Sequence, residues 1–273
     1  MPSPFNKEGK VISIPADELL ELMEKGEVKA MKEEKTISKE KKEEKNIERN
    51  PREYPVTVNF HEKSEWLEKE FDWQTKNLAQ KIEKEYPEEA NSIIQELLKH
   101  IAPLKQKLPE IAKMDIPEGH IPFVVVIKND VIGGEKAMPL IELKDKKGYT
   151  TMSADEIKGF KPIEGVKIPN GKAYLAIDIE TGKTTLGKTP DKAIKKIKSE
   201  DRSPLTSEED VALITHHPEI LKDNYVWASG SRRGGGRVAL LCLSRGKPKL
   251  SWDWADNSHA KWGSASCKTR IGV

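Results

Sequence analysis

The sequence has very little cysteine: Cys242 and Cys267 are the only two among 273 residues. Two thiols are too few for a disulfide framework, and their spacing is not that of a zinc site. Long apolar runs are also missing, and residues 1–5 lack the basic and apolar regions of a signal peptide. These absences predict a protein of the reduced cytoplasm that has no membrane partner.

Charge is nearly balanced over the whole chain but not along it. The sequence has 47 Lys and Arg against 45 Asp and Glu, a net charge of +2. Residues 222–273 hold ten Lys or Arg and three Asp, a net charge of +7, so the rest of the chain carries −5. A basic C-terminal region favours a surface for phosphate, carboxylate or nucleic acid, and a dispersed basic surface is the alternative.

Residues 1–60 differ in composition from the rest. Residues 29–52 are dominated by Lys and Glu, which predicts a solvated helix or a disordered linker. A short amphipathic helix around Leu19 precedes it, and this helix docks on the main domain or binds a partner. We therefore predict a charged arm over residues 1–60 and a single domain over residues 61–273, a length that can bury one core.

The main domain is predicted to be α+β, with a helical hairpin followed by a mixed or antiparallel sheet domain and two further helices. Apolar residues at helical spacing over residues 66–104, divided by Pro87, predict the hairpin. Residues 121–127 are typical of a strand buried on both faces. Capping residues Thr189 and Thr206 predict the starts of the two further helices. Other predicted strands are residues 139–143, 149–152, 166–168, 173–179, 225–229, 238–244 and 249–254.

The region 215–270 concentrates the residues that can carry chemistry, with four of the six Trp, three of the six His and both Cys. Cys267 follows four small residues, which would leave its thiol accessible among backbone N–H donors. With His259 or His217 as its base, Cys267 would serve a Cys-dependent hydrolase or transferase. A buried structural thiol is the alternative. An enzymatic and a non-enzymatic function both stay open at this point.

Two tryptophans that alternate along one predicted strand, Trp252 and Trp254, share a face of the sheet. That face is either a stacking platform for a base or sugar ring or a part of the core. The loop at residues 230–237 adds guanidinium groups and unhindered backbone amides, which suit phosphate or carboxylate. We predict a ligand- or partner-binding site for an anion or a ring. Its residues are Trp252, Trp254, Arg232, Arg233, Arg237 and Asn257, with His259 beside them.

Basic charge combined with aromatic residues also permits nucleic-acid binding, although the residues favour a small anion or a protein partner. No metal and no cofactor are predicted, because His216, His217, Glu219 and His259 do not show a metal-ligand spacing. Residues 176–182 are similar to the first metal-binding motif of proofreading-type exonucleases. Too little chain follows for that fold, so we predict that Glu180 belongs to a turn.

Six short motifs together resemble a bacterial domain family of unknown function, from about Phe71 to the C-terminus. The resemblance leaves the charged arm outside and implies no mechanism. The Gly-rich loop at residues 233–237 departs from the family pattern, so the resemblance implies no role for that loop. The motifs are residues 120–125, 137–140, 202–206, 215–219, 248–250 and 263–267.

Overall fold

The computed structural model describes residues 54–273. Most of the predicted arm, including the helix around Leu19, therefore lies outside the described residues. Tyr54 lies inside them, and its ring stands edge-on to Trp66 with 5.3 Å between the ring centroids. Tyr54 and Val56 both pack in the hydrophobic core. The packed part of the chain therefore includes residues that precede the boundary at residue 60.

Eight α-helices and thirteen strands make up residues 54–273. The helices are α1 (Phe60–Glu85), α2 (Ala90–Ile101), α3 (Leu108–Ala112), α4 (Gly134–Ala137), α5 (Ala154–Lys158), α6 (Pro190–Ser199), α7 (Ser207–His216) and α8 (Ile220–Asp223). The strands are β1 (Ile121–Ile127), β2 (Glu142–Leu143), β3 (Lys146–Lys147), β4 (Tyr149–Thr150), β5 (Lys161–Pro162), β6 (Ala173–Glu180), β7 (Ser203–Pro204), β8 (Tyr225–Trp227), β9 (Ser231–Arg232), β10 (Arg237–Ser244), β11 (Lys247–Trp254), β12 (Trp262–Ser264) and β13 (Ser266–Ile271).

Two sheets organise the domain. The first has the strand order β1-β6-β13-β7 and is antiparallel throughout. The second has the order β12-β8-β10-β11-β4 and is mixed, because its two outer pairs are parallel and its two inner pairs are antiparallel. The shorter pairs β2–β3 and β5–β9 complete the strands. The predicted α+β class is confirmed.

The first sheet separates two hydrophobic cores. One core lies between this sheet and helices α1 to α3, and the other lies between its opposite face, α7 and the second sheet. Strand β1 serves both: Phe123 and Val125 point into the first core, and Val124 and Val126 into the second. This arrangement confirms the strand buried on both faces. None of the helices in residues 54–273 is long and apolar enough to cross a membrane.

Strong local signals predicted the helical hairpin and the first residues of α6 and α7 correctly, although the hairpin begins at Phe60 instead of residue 66. The hairpin appears as α1 and α2, and Pro87 lies between them. Helix α7 begins with a complete capping box, in which the Thr206 side chain accepts from the Glu209 backbone and the Glu209 side chain accepts from the Thr206 backbone. Thr189 caps α6 in the same region of the chain, with Pro190 as its first residue.

Weak strand signals were less reliable. The predicted strand over residues 139–143 is wrong for its first half, because Met138–Leu140 forms a 3-10 turn and only Glu142–Leu143 pairs. Residues 166–168 form no strand. Strand β13 was not predicted, although it lies inside the first sheet between β6 and β7. Its sequence, Ser-Cys-Lys-Thr-Arg-Ile, lacks the apolar alternation that marks a half-buried strand.

Candidate functional site

Cys267 lies in the middle of the second core. It pairs with Ile179 of β6 and Ser203 of β7, and its exposed fraction is 0%. Burial, together with the smaller effect of the neighbouring Glu209, raises the pKa of its thiol to about 12. A thiol in this environment stays protonated at neutral pH and is a poor nucleophile. The prediction of an accessible Cys267 is wrong, because its small neighbours allow close packing instead of exposure.

We expect Cys267 to resist alkylation in the folded protein. Cys242 is only half-buried, so it should react with iodoacetamide first, and Cys267 should react only after denaturation. The modified peptides can be identified by mass spectrometry at pH values between 6 and 9. Modification of Cys267 in folded protein at a rate equal to that of Cys242 would contradict this placement.

The two histidines proposed as partners of Cys267 lie on other elements. His217 follows the last residue of α7, is buried, and has its Nδ1 3.6 Å from Glu219 Oε1. His259 is exposed in the loop between β11 and β12, where its ring lies 5.3 Å from that of Trp262. No hydrogen bond joins Cys267 to His259 in the part of the chain that the structure describes. The proposed catalytic arrangement is therefore not assembled.

Trp252 and Trp254 share a face of the second sheet, as their alternation predicted. Their ring centroids lie 5.5 Å apart with the rings at 85° to each other. Trp252 is half-buried against the second core, whereas Trp254 is 44% exposed. Each of the two predicted alternatives therefore holds for one residue. Trp252 packs against the core, and Trp254 presents its ring to solvent, as a stacking platform requires.

Arg237 completes this face from the neighbouring strand. It stands directly opposite Trp254 in the β10–β11 register, and its guanidinium carbon lies 5.0 Å from the ring centroid of Trp252 and 5.9 Å from that of Trp254. Its Nε is buried without a hydrogen-bond partner, and no carboxylate of residues 54–273 forms an ion pair with it. We call Arg237, Trp252 and Trp254 the Arg-Trp face.

The other two predicted arginines are already paired. Arg232 donates to Asp191 Oδ1 at 2.8 Å and to two backbone carbonyls, and Arg233 donates to Glu156 Oε1 at 2.9 Å. Their guanidinium groups hold β9 to α6 and α5, so their charge is largely compensated. Of the three arginines in this loop, only Arg237 presents an uncompensated charge within the described residues.

The loop before β10 is a tight turn that brings backbone close to the tryptophans. Gly235 and Gly236 have φ angles of 80° and 85°, a region that side chains disfavour. A Cβ on Gly235 would lie 3.7 Å from the ring of Trp254. Asn257 donates its side-chain amide to Asp253 Oδ1 at 2.7 Å, and Asp253 belongs to the opposite face of β11. Asn257 therefore stabilises the turn after β11.

Two small cavities lie elsewhere, between α1, α4, α7 and β1. Their volumes are about 20 and 40 Å³, room for a water molecule but far below the few hundred Å³ of a typical ligand pocket. They do not adjoin the Arg-Trp face, and the 44% exposure of Trp254 makes that face an open platform. The residues that line both cavities are Ile127, Ile132, Ala137, Glu208 and Val211.

Three polar side chains at one end of the first sheet, those of His120, Asp178 and Arg202, form a network that the sequence did not indicate. Asp178 accepts from Arg202 Nη1 at 2.8 Å and lies 2.5 Å from His120 Nδ1. Burial alone would raise the pKa of Asp178, but the hydrogen bonds to His120 and Arg202 outweigh it and hold the pKa below its usual value. Arg202 also donates to Ser266, so this network connects β1, β6, β7 and β13.

Asp178 has a left-handed backbone conformation inside strand β6, with φ at 56°. The alternation of the strand changes phase there, because Ala176 and Ile179 both point into the second core. Backbone strain of this kind costs about 1–3 kcal/mol and is found at functional sites. Neither of the two small cavities adjoins this network. We therefore interpret the network as structural, since it holds the strands of the first sheet together.

Glu180 is the last residue of strand β6 and does not itself belong to the turn, as was predicted, but its side chain accepts hydrogen bonds from the turn that follows. Its Oε1 accepts from the backbone of Gly182 at 3.1 Å and of Thr184 at 3.2 Å, and its Oε2 accepts from the Thr184 hydroxyl. Both carboxylate oxygens of Glu180 are thereby occupied. Among residues 54–273, no group of three His, Cys, Asp or Glu side chains is arranged to hold a metal ion.

Residues 54–273 therefore form an α+β domain that carries an open aromatic face. The chain belongs to DUF5701, a family of unknown function whose family model matches residues 80–273. A search of curated proteins and a search of solved structures gave no match. The matched region contains all six motifs of the predicted resemblance, and it begins at residue 80 instead of at about Phe71.

Proposed function

We propose that this domain binds a ring-bearing anion, such as a nucleotide, at the Arg-Trp face. The observation that carries the proposal is the exposed ring of Trp254 beside the unpaired guanidinium of Arg237. An indole face can stack on a base, and a guanidinium can donate to a phosphate or carboxylate. A cytoplasmic, bacterial setting is part of the same proposal, since two free thiols suit a reducing compartment.

Binding at an open platform is expected to be weak. Stacking on one ring contributes about 1–3 kcal/mol, and a hydrogen bond to a charged group about 1.5–3 kcal/mol. The sum corresponds to a dissociation constant of about 0.1 mM or weaker. A ligand that used only its ring or only its charge would lose about half of this free energy.

The test compares three probes on the full chain: adenosine monophosphate, adenosine and inorganic phosphate. Adenosine monophosphate should bind at least about tenfold more tightly than either of the others, because it alone uses both contacts. Calorimetry or tryptophan fluorescence can measure the affinities. Equal affinity for inorganic phosphate and adenosine monophosphate would show that the ring makes no contribution.

Two arginine variants provide a matched pair for the same test. Arg237→Gln should weaken adenosine monophosphate binding by about tenfold, because it removes the uncompensated charge. Arg233→Gln should change the affinity by less than about twofold, because Glu156 already occupies that guanidinium. Trp254→Ala should also weaken binding by about fivefold or more. Equal effects of the two arginine variants would contradict the assignment.

A further inference from the structure

The junction between helices α1 and α7 holds a lysine that packs into the domain. Lys81 of α1 is half-buried, and its Nζ donates to the carbonyl oxygen of Thr215, in the last turn of α7, at 2.9 Å. Thr215 also lines the cavity of about 40 Å³, together with Leu78, which lies one turn before Lys81. Apolar side chains form most of the walls of that cavity, so this side of the junction is poorly solvated.

Burial changes the chemistry of this amine. It lowers the pKa of Lys81 to about 8, although the carboxylates of Glu142 and Glu219 raise it in part. The charged groups that act on Lys81 are Glu142 of β2, Glu219 directly before α8, and Lys84, one turn further along α1. At pH 7.5 about a quarter of the Lys81 side chains are then neutral, against about 0.1% for a lysine with the ordinary pKa. The neutral amine is the form that attacks an electrophile.

Loss of the Lys81 charge would leave neither carboxylate without a neighbour of its own. Glu142 Oε2 lies 3.5 Å from Lys84 Nζ, and Glu219 Oε1 lies 3.6 Å from His217 Nδ1. The carbonyl oxygen that accepts from Lys81 can also accept from a neutral amine or from an amide N–H. A neutral derivative of Lys81 therefore fits the same place without leaving a charged group unpaired.

We propose that Lys81 is an acylation site, which takes a small acyl group from an acyl phosphate or a thioester. The neutral Nζ attacks the carbonyl carbon of the donor and a C–N bond forms. The bond from that carbon to the phosphate oxygen or to the thioester sulfur breaks, and the departing phosphate or thiolate takes up the proton that the amine loses. The product is an amide, so the modification removes one positive charge from the junction of α1 and α7. It is independent of the Arg-Trp face, because it uses none of the residues of that face.

The test is acetylation of the folded full chain at pH 7.5 with two donors, acetyl phosphate and the neutral thioester S-acetyl-N-acetylcysteamine. Mass spectrometry measures the rate at each lysine, and Lys84 is the reference because it is exposed and lies one turn away on the same helix. Lys81 should react about tenfold faster than Lys84, since its larger neutral fraction outweighs the weaker nucleophilicity that a less basic group has, as for thiols.

The advantage of Lys81 should disappear in concentrated urea, where both side chains are solvated. An advantage with one donor only would assign the site to that class of donor. A rate at Lys81 equal to or below that at Lys84 with both donors would overturn the proposal.

The pH profile separates this chemistry from simple exposure. The rate at Lys81 should level off above about pH 8, whereas the rate at a lysine with the ordinary pKa rises about tenfold per pH unit up to about pH 10. Glu142→Gln should raise the rate at Lys81 about twofold at pH 7.5, because the carboxylate that it removes favours the charged amine. Glu89→Gln, which breaks an exposed pair with Lys136, should leave the rate unchanged. A rate that does not level off below pH 10, or equal effects of the two variants, would overturn the assignment.

Discussion

Replacing Arg270 by methionine is expected to lower the free energy of unfolding by about 3–5 kcal/mol, because it leaves a buried carboxylate without its charged partner. Arg270 donates from Nε to Glu209 Oε1 at 2.5 Å and from Nη2 to Glu209 Oε2 at 2.8 Å. The side chains are 5% and 0% exposed, so water cannot take over these contacts. A domain of this size is typically stable by about 5–15 kcal/mol, so the loss is a large fraction of the total.

The pair is the centre of a network that joins the first sheet to α7. Glu209 also accepts from the Tyr174 hydroxyl at 3.0 Å and from the backbone of Thr206 at 2.8 Å. Burial alone would lower the pKa of Arg270, but its hydrogen bonds to Glu209 outweigh this effect and raise the pKa. The guanidinium of Arg270 therefore remains charged at every physiological pH.

Urea denaturation followed by circular dichroism measures the effect. Lys268→Met is the control, because it breaks an exposed pair with Asp201 two residues away and should cost no more than about 1 kcal/mol. If Arg270→Met is too unstable to fold, the double variant Glu209→Gln with Arg270→Met should recover much of the loss, since no buried charge remains. Equal effects of Arg270→Met and Lys268→Met would contradict the account.

The second large effect has the opposite sign: Asp210→Asn should stabilise the domain at neutral pH. Asp210 is 1% exposed, and neither of its carboxylate oxygens has a hydrogen-bond partner. Burial raises the pKa of its carboxyl well above the ordinary value, and the neighbouring Glu209 raises it further. Asparagine has nearly the same shape as aspartate but does not ionise. The difference in the free energy of unfolding between the two proteins therefore measures what it costs to bury this ionisable group.

The raised pKa of Asp210 determines how the stability of the domain depends on pH. A carboxyl whose folded pKa exceeds its unfolded pKa binds a proton more tightly in the folded state, so stability falls as the pH rises above about 4. The fall is about 1.4 kcal/mol per pH unit until the folded pKa is reached. The gain from Asp210→Asn should therefore grow in denaturation curves as the pH rises above about 4. The exposed Asp130→Asn should show no such growth, and a pH-independent gain at Asp210 would contradict the assignment.

Local signals in the sequence were sufficient for much of the fold. Helical spacing and Pro87 predicted the hairpin, Thr206 and Glu209 predicted the start of α7, and the apolar run of β1 predicted a strand buried on both faces. The shared face of Trp252 and Trp254 followed from simple alternation. Each of these features depends on residues close in sequence.

The parts that were missed depend on residues far apart. Arg270 meets Glu209 across 61 residues, and His120 meets Asp178 across 58. Strand β13 was not recognisable because its inward Arg270 looks like a surface residue until Glu209 is placed beside it. The charge available for binding was also not predictable from the sequence. The number of arginines in a loop does not show which of them form ion pairs with carboxylates elsewhere in the chain.

The most direct test of the Arg-Trp face is the response of the tryptophan indole N–H signals to adenosine monophosphate in a two-dimensional ¹H–¹⁵N spectrum. The chain has six tryptophans, and single Trp→Phe variants assign their signals. We expect saturable shifts of the Trp252 and Trp254 signals, no shift of the Trp66 signal, and loss of the response in Arg237→Gln. Shifts confined to other tryptophans would contradict the proposed function. So would the absence of any shift at about 10 mM adenosine monophosphate, which is roughly tenfold above a dissociation constant of about 1 mM for a weak site.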